Sequence, residues 1–486
     1  MKKYLLLSIL FLFILSASTT MGAEVAEMTQ DSIEQISNQN NDISQNAYQA
    51  ILAKKEFKFS FVSLLRGVLG MAVLIFIAWL CSADRKRIYW PTVGKALLLQ
   101  FIIAISIILF PFIQYGFEFV GHGFIAVINW TKAGTSFLFG PLVSDDFGYI
   151  FALNVLPPII FFSALTSLLF YLGVLQKIVW GMGWVLTKFM RLSGAESLSC
   201  AGNVFLGQTE APTMVKAYIP TMTKSEIVLI MVSGMSTMAG GVLAVYISML
   251  GGGDPALELE FAKHLLSASV MAAPGAIAFA KIIQPQIEEI DNTISLPKEK
   301  AGKNALDAIS NGTSEGLRLA ANVAAMLLVF YALIAGFNHI CFVIGDITNL
   351  NSWIASSSNG QFDALTLEYM LSKLFAPVIW LTGIPSADVG LAGQLLGEKV
   401  IMTEFVGYQS LSTMIQEGTF SSDKSIIMAT YILCGFANFA SIGILIGGVG
   451  SMAPNQRPIM SSFGFKALLA SVLVALMSAI MIGMML

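Results

Sequence analysis

Two carboxylates stand in unusual company. Glu210 lies in "GQTEAP", Gly207 to Pro212, and Glu404 lies in "VIMTEFVG", Val400 to Gly407, both flanked by apolar sequence. A carboxylate at bilayer depth costs at least ~2.5 kcal/mol, so neither is expected to face lipid. Further hydrogen-bonding groups accompany them: Gln208 and Thr209 beside the first, Thr403 beside the second, and Asn438 and Ser441 farther on, with Phe436 close by. Asn438 and Ser441 stand three apart and so share a helical face. Phe436 would point away from them at ~100° per residue, unless Gly435 unwinds the backbone. The set holds no catalytic triad, no metal-ligand cluster and no phosphate-cradling loop. It suits binding of a neutral, polyhydroxylated, ring-containing solute better than a reaction. Carboxylates accept hydroxyl groups in pairs, amides match the edge of a base, and a phenyl ring offers stacking. Where broken helices leave carbonyls free, a dehydrated cation can be held as well, and Asn203 is the candidate for that.

The elements that position these residues belong to a membrane. The chain has 486 residues, 56% of them hydrophobic and only 12% charged, with a mean hydropathy of +0.75. Composition of this kind excludes a soluble domain. Long uncharged runs such as "GVLGMAVLIFIAWLC", "ALLLQFIIAISIILFPFI" and "ALLASVLVALMSAIMIGMML" reach or approach the ~20 residues that cross a bilayer as a helix. They are continuous, not alternating, so helices and not a barrel are expected. Arg85, Lys86, Arg87, Lys298, Lys300, Lys303, Arg318, Arg457 and Lys466 mark the cytoplasmic side by the positive-inside rule; Asp145, Asp146 and "DPALELE" fall outside. The four cysteines lack metal-site spacing and read as free thiols, and the three histidines are scattered. The net charge of −3 says little about partners, and no nucleic-acid polymer is expected among them.

The organisation expected from these patterns has seven parts. Residues 1–23 read as a signal peptide or an uncleaved N-terminal anchor, followed by a polar outer segment over 24–58. Scaffold helices occupy 59–180, with the Gly-rich stretch Gly116 to Gly140 expected as an interfacial helix plus a loop. A first re-entrant hairpin and its following helices take 181–285, a polar or interfacial segment 286–315, a scaffold helix and an interfacial helix 316–378, and a second hairpin with the last two helices 379–486. Both halves share an order: an interrupted segment bearing Thr-Glu, then a full-length span rich in small residues. Paired interruptions of this kind point to a transporter's binding site. A channel would instead place charge rings on continuous helices, and an enzyme using Glu210 and Glu404 as acid and base would lack any nucleophile or metal motif.

The stretches "AGNVFLGQTEAP", "SGMSTMAGGVLAVYISM", "LSASVMAAPGAIAFAK", "GEKVIMTEFVGYQSL" and "CGFANFASIGILIGGVGSMAP" together resemble the concentrative nucleoside transporter family, in the family's order and over about Phe61 to Leu486. The family pattern Gly-x-Lys, three residues, Asn-Glu-Phe-Val-Ala is met by Gly397, Lys399, Glu404, Phe405 and Val406, with Thr403 in place of the asparagine and Gly407 in place of the alanine. The resemblance implies an all-α polytopic protein of about eight core helices and two re-entrant hairpins, trimeric, with a transport domain moving against a trimerisation scaffold in the cell inner membrane. It implies ion-coupled symport of nucleosides, purine or pyrimidine, driven by sodium or alternatively by protons, with no cofactor and no enzymatic step. Gln208, Thr209, Glu210 and Val242 would contact the nucleobase, Glu404, Asn438 and Ser441 the ribose, and Phe436 would line the pocket. A sodium ion would lie near Asn203, Leu206, Ser236, Thr237 and Met238, held partly by backbone carbonyls.

Overall fold

The structure, a computed structural model, describes residues 61–143, 150–290, 302–358 and 361–486. The two N-terminal segments expected over 1–23 and 24–58, and Asp145, Asp146, Lys298 and Lys300, lie outside the described residues. Every regular element among the described residues is helical. The first six helices are α1 (Phe61–Leu80), α2 (Trp90–Leu109), α3 (Pro111–Phe139), α4 (Phe151–Tyr171), α5 (Val174–Met190) and α6 (Gly194–Gly202). Then come α7 (Lys224–Ser236), α8 (Gly240–Gly251), α9 (Pro255–Ile283), α10 (Ala305–Ile347), α11 (Leu350–Ser357) and α12 (Leu367–Thr382). The last five are α13 (Val389–Ile401), α14 (Glu404–Gln416), α15 (Asp423–Leu433), α16 (Phe439–Met452) and α17 (Arg457–Gly483).

Burial sorts these helices into an inside and an outside. Of the most apolar stretch of α9, 94% is buried within the molecule, whereas only 6% of the corresponding stretch of α10 is. A helix apolar all round is at home only in a core or in lipid, so α9 forms the axis and α10 turns an apolar flank outward. Against α4, α10 lays a stripe of small residues, Ala308, Gly312, Gly316 and Ala320, all buried. A Cβ on Gly312 would come within 2.7 Å of the Ser163 carbonyl oxygen, so the two backbones meet as closely as small-residue stripes allow in membranes. The Ser167 hydroxyl adds a bond to the Ala308 carbonyl at 2.7 Å.

Two expectations are corrected here. The stretch Gly116 to Gly140 is no helix plus loop but runs within one continuous helix, α3, up to Phe139, with Gly140 as its C-cap. Its polar residues are absorbed locally: the hydroxyls of Thr131 and Thr135 donate to the carbonyls of Val127 and Thr131, each one turn back, at 2.8 and 2.9 Å. Such back-bonding lets threonine sit within an apolar helix. The small-residue runs expected to span in one piece are both split, into α7 and α8 at Thr237–Ala239, and into α15 and α16 at Cys434–Asn438. Helix α10 begins at Ala305, inside the stretch 286–315. Seven spans among the described residues are long and apolar enough to cross a membrane, the α7–α8 pair counted as one, and α15 followed by α16 makes a further divided path.

Two helical hairpins precede the two divided spans. The first pairs α6 with a 3-10 turn over Ala211–Val215 through a tip that contains Asn203 to Glu210. The second pairs α13 with α14 through Met402 and Thr403. Capping residues written into the sequence set where the helices start. Ser193 with Glu196, and Thr223 with Glu226, form reciprocal capping boxes at α6 and α7. Thr403 and Asn438 cap α14 and α16.

Candidate functional site

The site assembles from four chain interruptions: the two hairpin tips and the two breaks. At the second break α15 stops at Leu433, and Gly435 turns the chain with φ of +89°, a conformation that favours glycine. Asn438 then caps α16, its Oδ1 accepting from the Ser441 N–H at 2.8 Å. Asn438 and Ser441 therefore do not share a helical face as their spacing implies; one caps the helix and the other lies in its first turn. The capping role frees the Asn438 amide to donate to Glu404 Oε2 at 2.9 Å. The Tyr246 hydroxyl of α8 donates to the other oxygen, Oε1, at 3.1 Å. On the far side, the Gln208 amide donates to the Ser441 hydroxyl at 3.3 Å. A single string of hydrogen bonds thus runs from the first hairpin tip to α16, to the second hairpin and to α8.

Aromatic rings brace that string. Tyr246 stacks on Tyr408 with ring centroids 4.1 Å apart and meets Phe405 edge-on at 5.1 Å. The Tyr408 hydroxyl donates to the Thr430 carbonyl of α15 at 3.0 Å. Both tyrosines are wholly buried, so their hydroxyls need partners. Neither tyrosine was singled out from sequence, although Tyr246 is the one aromatic in the aliphatic run "GGVLAVYISM".

Glu210 stands apart from this string. Its Oε2 accepts from the Gly207 N–H at 2.9 Å, closing the first hairpin tip on itself. It also lines a cavity of about 700 Å³ bounded by α4, the tip, the start of α8 and the first half of α10, with Leu206 and Val242 in the wall. The sequence-predicted residues therefore divide: Gln208, Glu404, Asn438 and Ser441 are joined directly, Glu210 and Val242 face the adjoining cavity, and half-buried Phe436 lies within the α15–α16 break. Thr209 packs its methyl group against Gly448 of α16.

The two departures from the family pattern have local explanations. Thr403 caps α14 by accepting from the Val406 N–H at 3.5 Å, a role that asparagine also fills. Gly407 faces Leu433, whose methyl group would lie 2.5 Å from an added Cβ, so an alanine here would require that leucine to shift.

The second group lies where the first hairpin meets the α7–α8 break. The Phe205 carbonyl accepts from the Gly240 N–H at 3.0 Å, tying tip to break. Asn203 is fully buried; its amide donates to the Ser233 hydroxyl at 2.9 Å, while its Oδ1 has no partner among the described residues. The hydroxyls of Ser236 and Thr237 are turned back onto the carbonyls of Val232 and Ser233 at 2.7 and 2.9 Å. Leu206 and Met238 are buried beside them. Among the described residues no cluster of three or more His, Cys, Asp or Glu side chains is placed to hold a metal ion. Neutral oxygens with one orphaned carbonyl fit a monovalent cation better than a transition metal.

Comparison with known proteins decides the family. Profiles described as "Na+ dependent nucleoside transporter" match the chain at residues 69–142 for the N-terminus and 264–483 for the C-terminus, and one described as "Nucleoside recognition" matches residues 152–253. The nucleoside permease NupC of Helicobacter pylori is 37% identical over 430 residues, 87% of this chain and 98% of the permease. This chain belongs to the concentrative nucleoside transporter family. The putative nucleoside permease NupX of Escherichia coli is 35% identical over 87% of this chain and 99% of its own length. Sodium/nucleoside cotransporter 1 of Rattus norvegicus is 34% identical over 85% of this chain and 62% of its own. Among solved structures, CNTnw in an inward-facing substrate-bound state superposes with a TM-score of 0.78 at 38% identity, over 87% of this chain and 98% of that one. Outward-facing CNTnw variants superpose equally well, with a TM-score of 0.78. The chain is thus a transporter-family member with several apolar helices, and not an enzyme.

Proposed function

We propose that this chain imports nucleosides across the cell's inner membrane by symport with a cation, sodium before protons, working as a homotrimer. One observation carries the reading: the hydrogen-bonded string Gln208, Ser441, Asn438, Glu404, Tyr246 joins both hairpin tips, the α15–α16 break and α8 at one place. A carboxylate has about four lone-pair sites, so Glu404 can keep Asn438 and still accept the hydroxyls of a ribose. Asn438 and Ser441 complete the ribose contacts, and Phe436 lines the pocket. Gln208, Thr209, Glu210 and Val242 offer amide, hydroxyl, carboxylate and apolar contacts to the base. Lys216 and Arg318 line the adjoining cavity, and basic residues mark the cytoplasmic side, so the cavity is the inner part of the route.

The orphaned Asn203 Oδ1, with Leu206, Ser236, Thr237 and Met238 around the break, is assigned to the coupling ion. An ion ordering the first tip there favours solute binding by Gln208 in the same tip, and linkage makes the effect reciprocal. The test is uptake of uridine and adenosine into proteoliposomes under an imposed sodium gradient, a proton gradient or neither. The expected result is accumulation with sodium; a rate independent of both gradients would sink the coupling, and no uptake at all would sink the substrate assignment.

A further inference from the structure

Helix α15 ends in apolar surroundings, and the last carbonyls of any helix lack donors from the helix itself. Two carbonyls at this end, those of Ile432 and Cys434, accept instead from a single buried ammonium. Lys399 of α13 reaches them at 2.9 and 2.6 Å, with its side chain wholly buried. Among the described residues no carboxylate lies in ion-pair range of it. The contrast with Lys281 is instructive: that buried lysine pairs with Glu196 at 2.7 Å and with the Ser225 hydroxyl at 3.0 Å. An ammonium matched only by carbonyls at a helix C-terminus sits where the helix dipole favours a cation, in the manner of an ion held by unwound backbone in a transporter. Here the cation is tethered to the second hairpin.

Five residues later, across the tip, Glu404 holds Asn438 at the other end of the same interruption. The second hairpin therefore grips the α15–α16 break at both ends, Cys434 by Lys399 and Asn438 by Glu404, with Gly435, Phe436 and Ala437 strung between. We propose that Lys399 is a positioning residue for solute binding: it fixes the unwound carbonyls so that Phe436 and Asn438 are presented to the solute, and it makes the break travel with the hairpin. The inference rests on the solute site proposed above.

The test compares Lys399→Met, which keeps the length and removes every donor, with Lys399→Arg, which keeps the charge and alters the donor geometry. Uptake and isothermal nucleoside binding are measured on each beside the native protein, at saturating sodium. Half-saturation should rise about tenfold or more in Lys399→Met and by a smaller factor in Lys399→Arg, with turnover at saturation nearly kept. On a Phe436→Ala background, Lys399→Met should add little further, since both act on one presented surface. If Lys399→Met does not accumulate in the membrane, Lys399→Arg decides alone. Unchanged half-saturation in the variants overturns the proposal while leaving the transport reading intact, as does lost turnover at native half-saturation, the mark of a merely structural lysine. A native protein that binds no nucleoside overturns both.

Discussion

Glu404 is the residue on which the site turns, because both of its oxygens are committed to donors. In Glu404→Gln only one oxygen remains to accept: an NH2 turned to Asn438 sets donor against donor, and one turned to Tyr246 can donate to the hydroxyl oxygen but leaves the hydroxyl hydrogen without its acceptor inside the protein. Leaving buried groups unsatisfied costs about 1–3 kcal/mol, so nucleoside half-saturation should rise at least about tenfold; near-native uptake kinetics would remove Glu404 from the ribose contacts. Tyr246→Phe keeps the stack on Tyr408 and loses only the hydroxyl. It should weaken uptake by a few-fold, less than Glu404→Gln, as read from the same uptake curves. The polar members of the site were legible in the sequence because a Gln, Thr, Glu or Asn in apolar surroundings demands a partner. The partners themselves were less so. Lys399 was visible as a charge in a motif, but the carbonyls it serves exist only because α15 stops at Leu433, and that is settled by packing between distant segments.

At the scale of elements, hairpin followed by divided span recurs in the two halves, and the sequence announced it through its twin interruptions and Thr-Glu pairs. It did not announce that the following spans are themselves divided, since both runs are long and apolar enough to read as continuous. The first tip and the α7–α8 break should govern the ion. Asn203→Ala removes the orphaned oxygen and the bond to Ser233, and the sodium needed for half-maximal uptake should rise several-fold; an unaltered sodium curve would exclude Asn203 from the ion site. The second break should govern integrity. A Cβ at Gly435 would stand 2.7 Å from the Met235 carbonyl oxygen, at a φ of +89°, so Gly435→Ala should cost about 2 kcal/mol or more. Thermal unfolding of the purified protein would show it as a lowered midpoint.

Across the whole molecule, the contrast between buried α9 and exposed α10 leaves a large apolar flank that only lipid or another copy of the chain can cover. Light scattering in mild detergent should give about three times the 52.3 kDa of one chain; a monomer of native binding affinity would refute the trimer. The helical character of the chain could be read from its composition, but the faces that meet could not. The Gly-rich α3 shows why: its interruptions look like breaks until local back-bonding is taken into account.

Gly435 lies against the carbonyl of Ser236, and under the assignment proposed above the two belong to different jobs, one shaping the cargo pocket and the other placed beside the ion. On that assignment, cargo choice and ionic appetite share a physical joint. Selection or engineering that reshapes the α15–α16 interruption to admit a new solute should then disturb the salt requirement in the same step, and a carrier adapted to a new ionic habitat should inherit an altered menu.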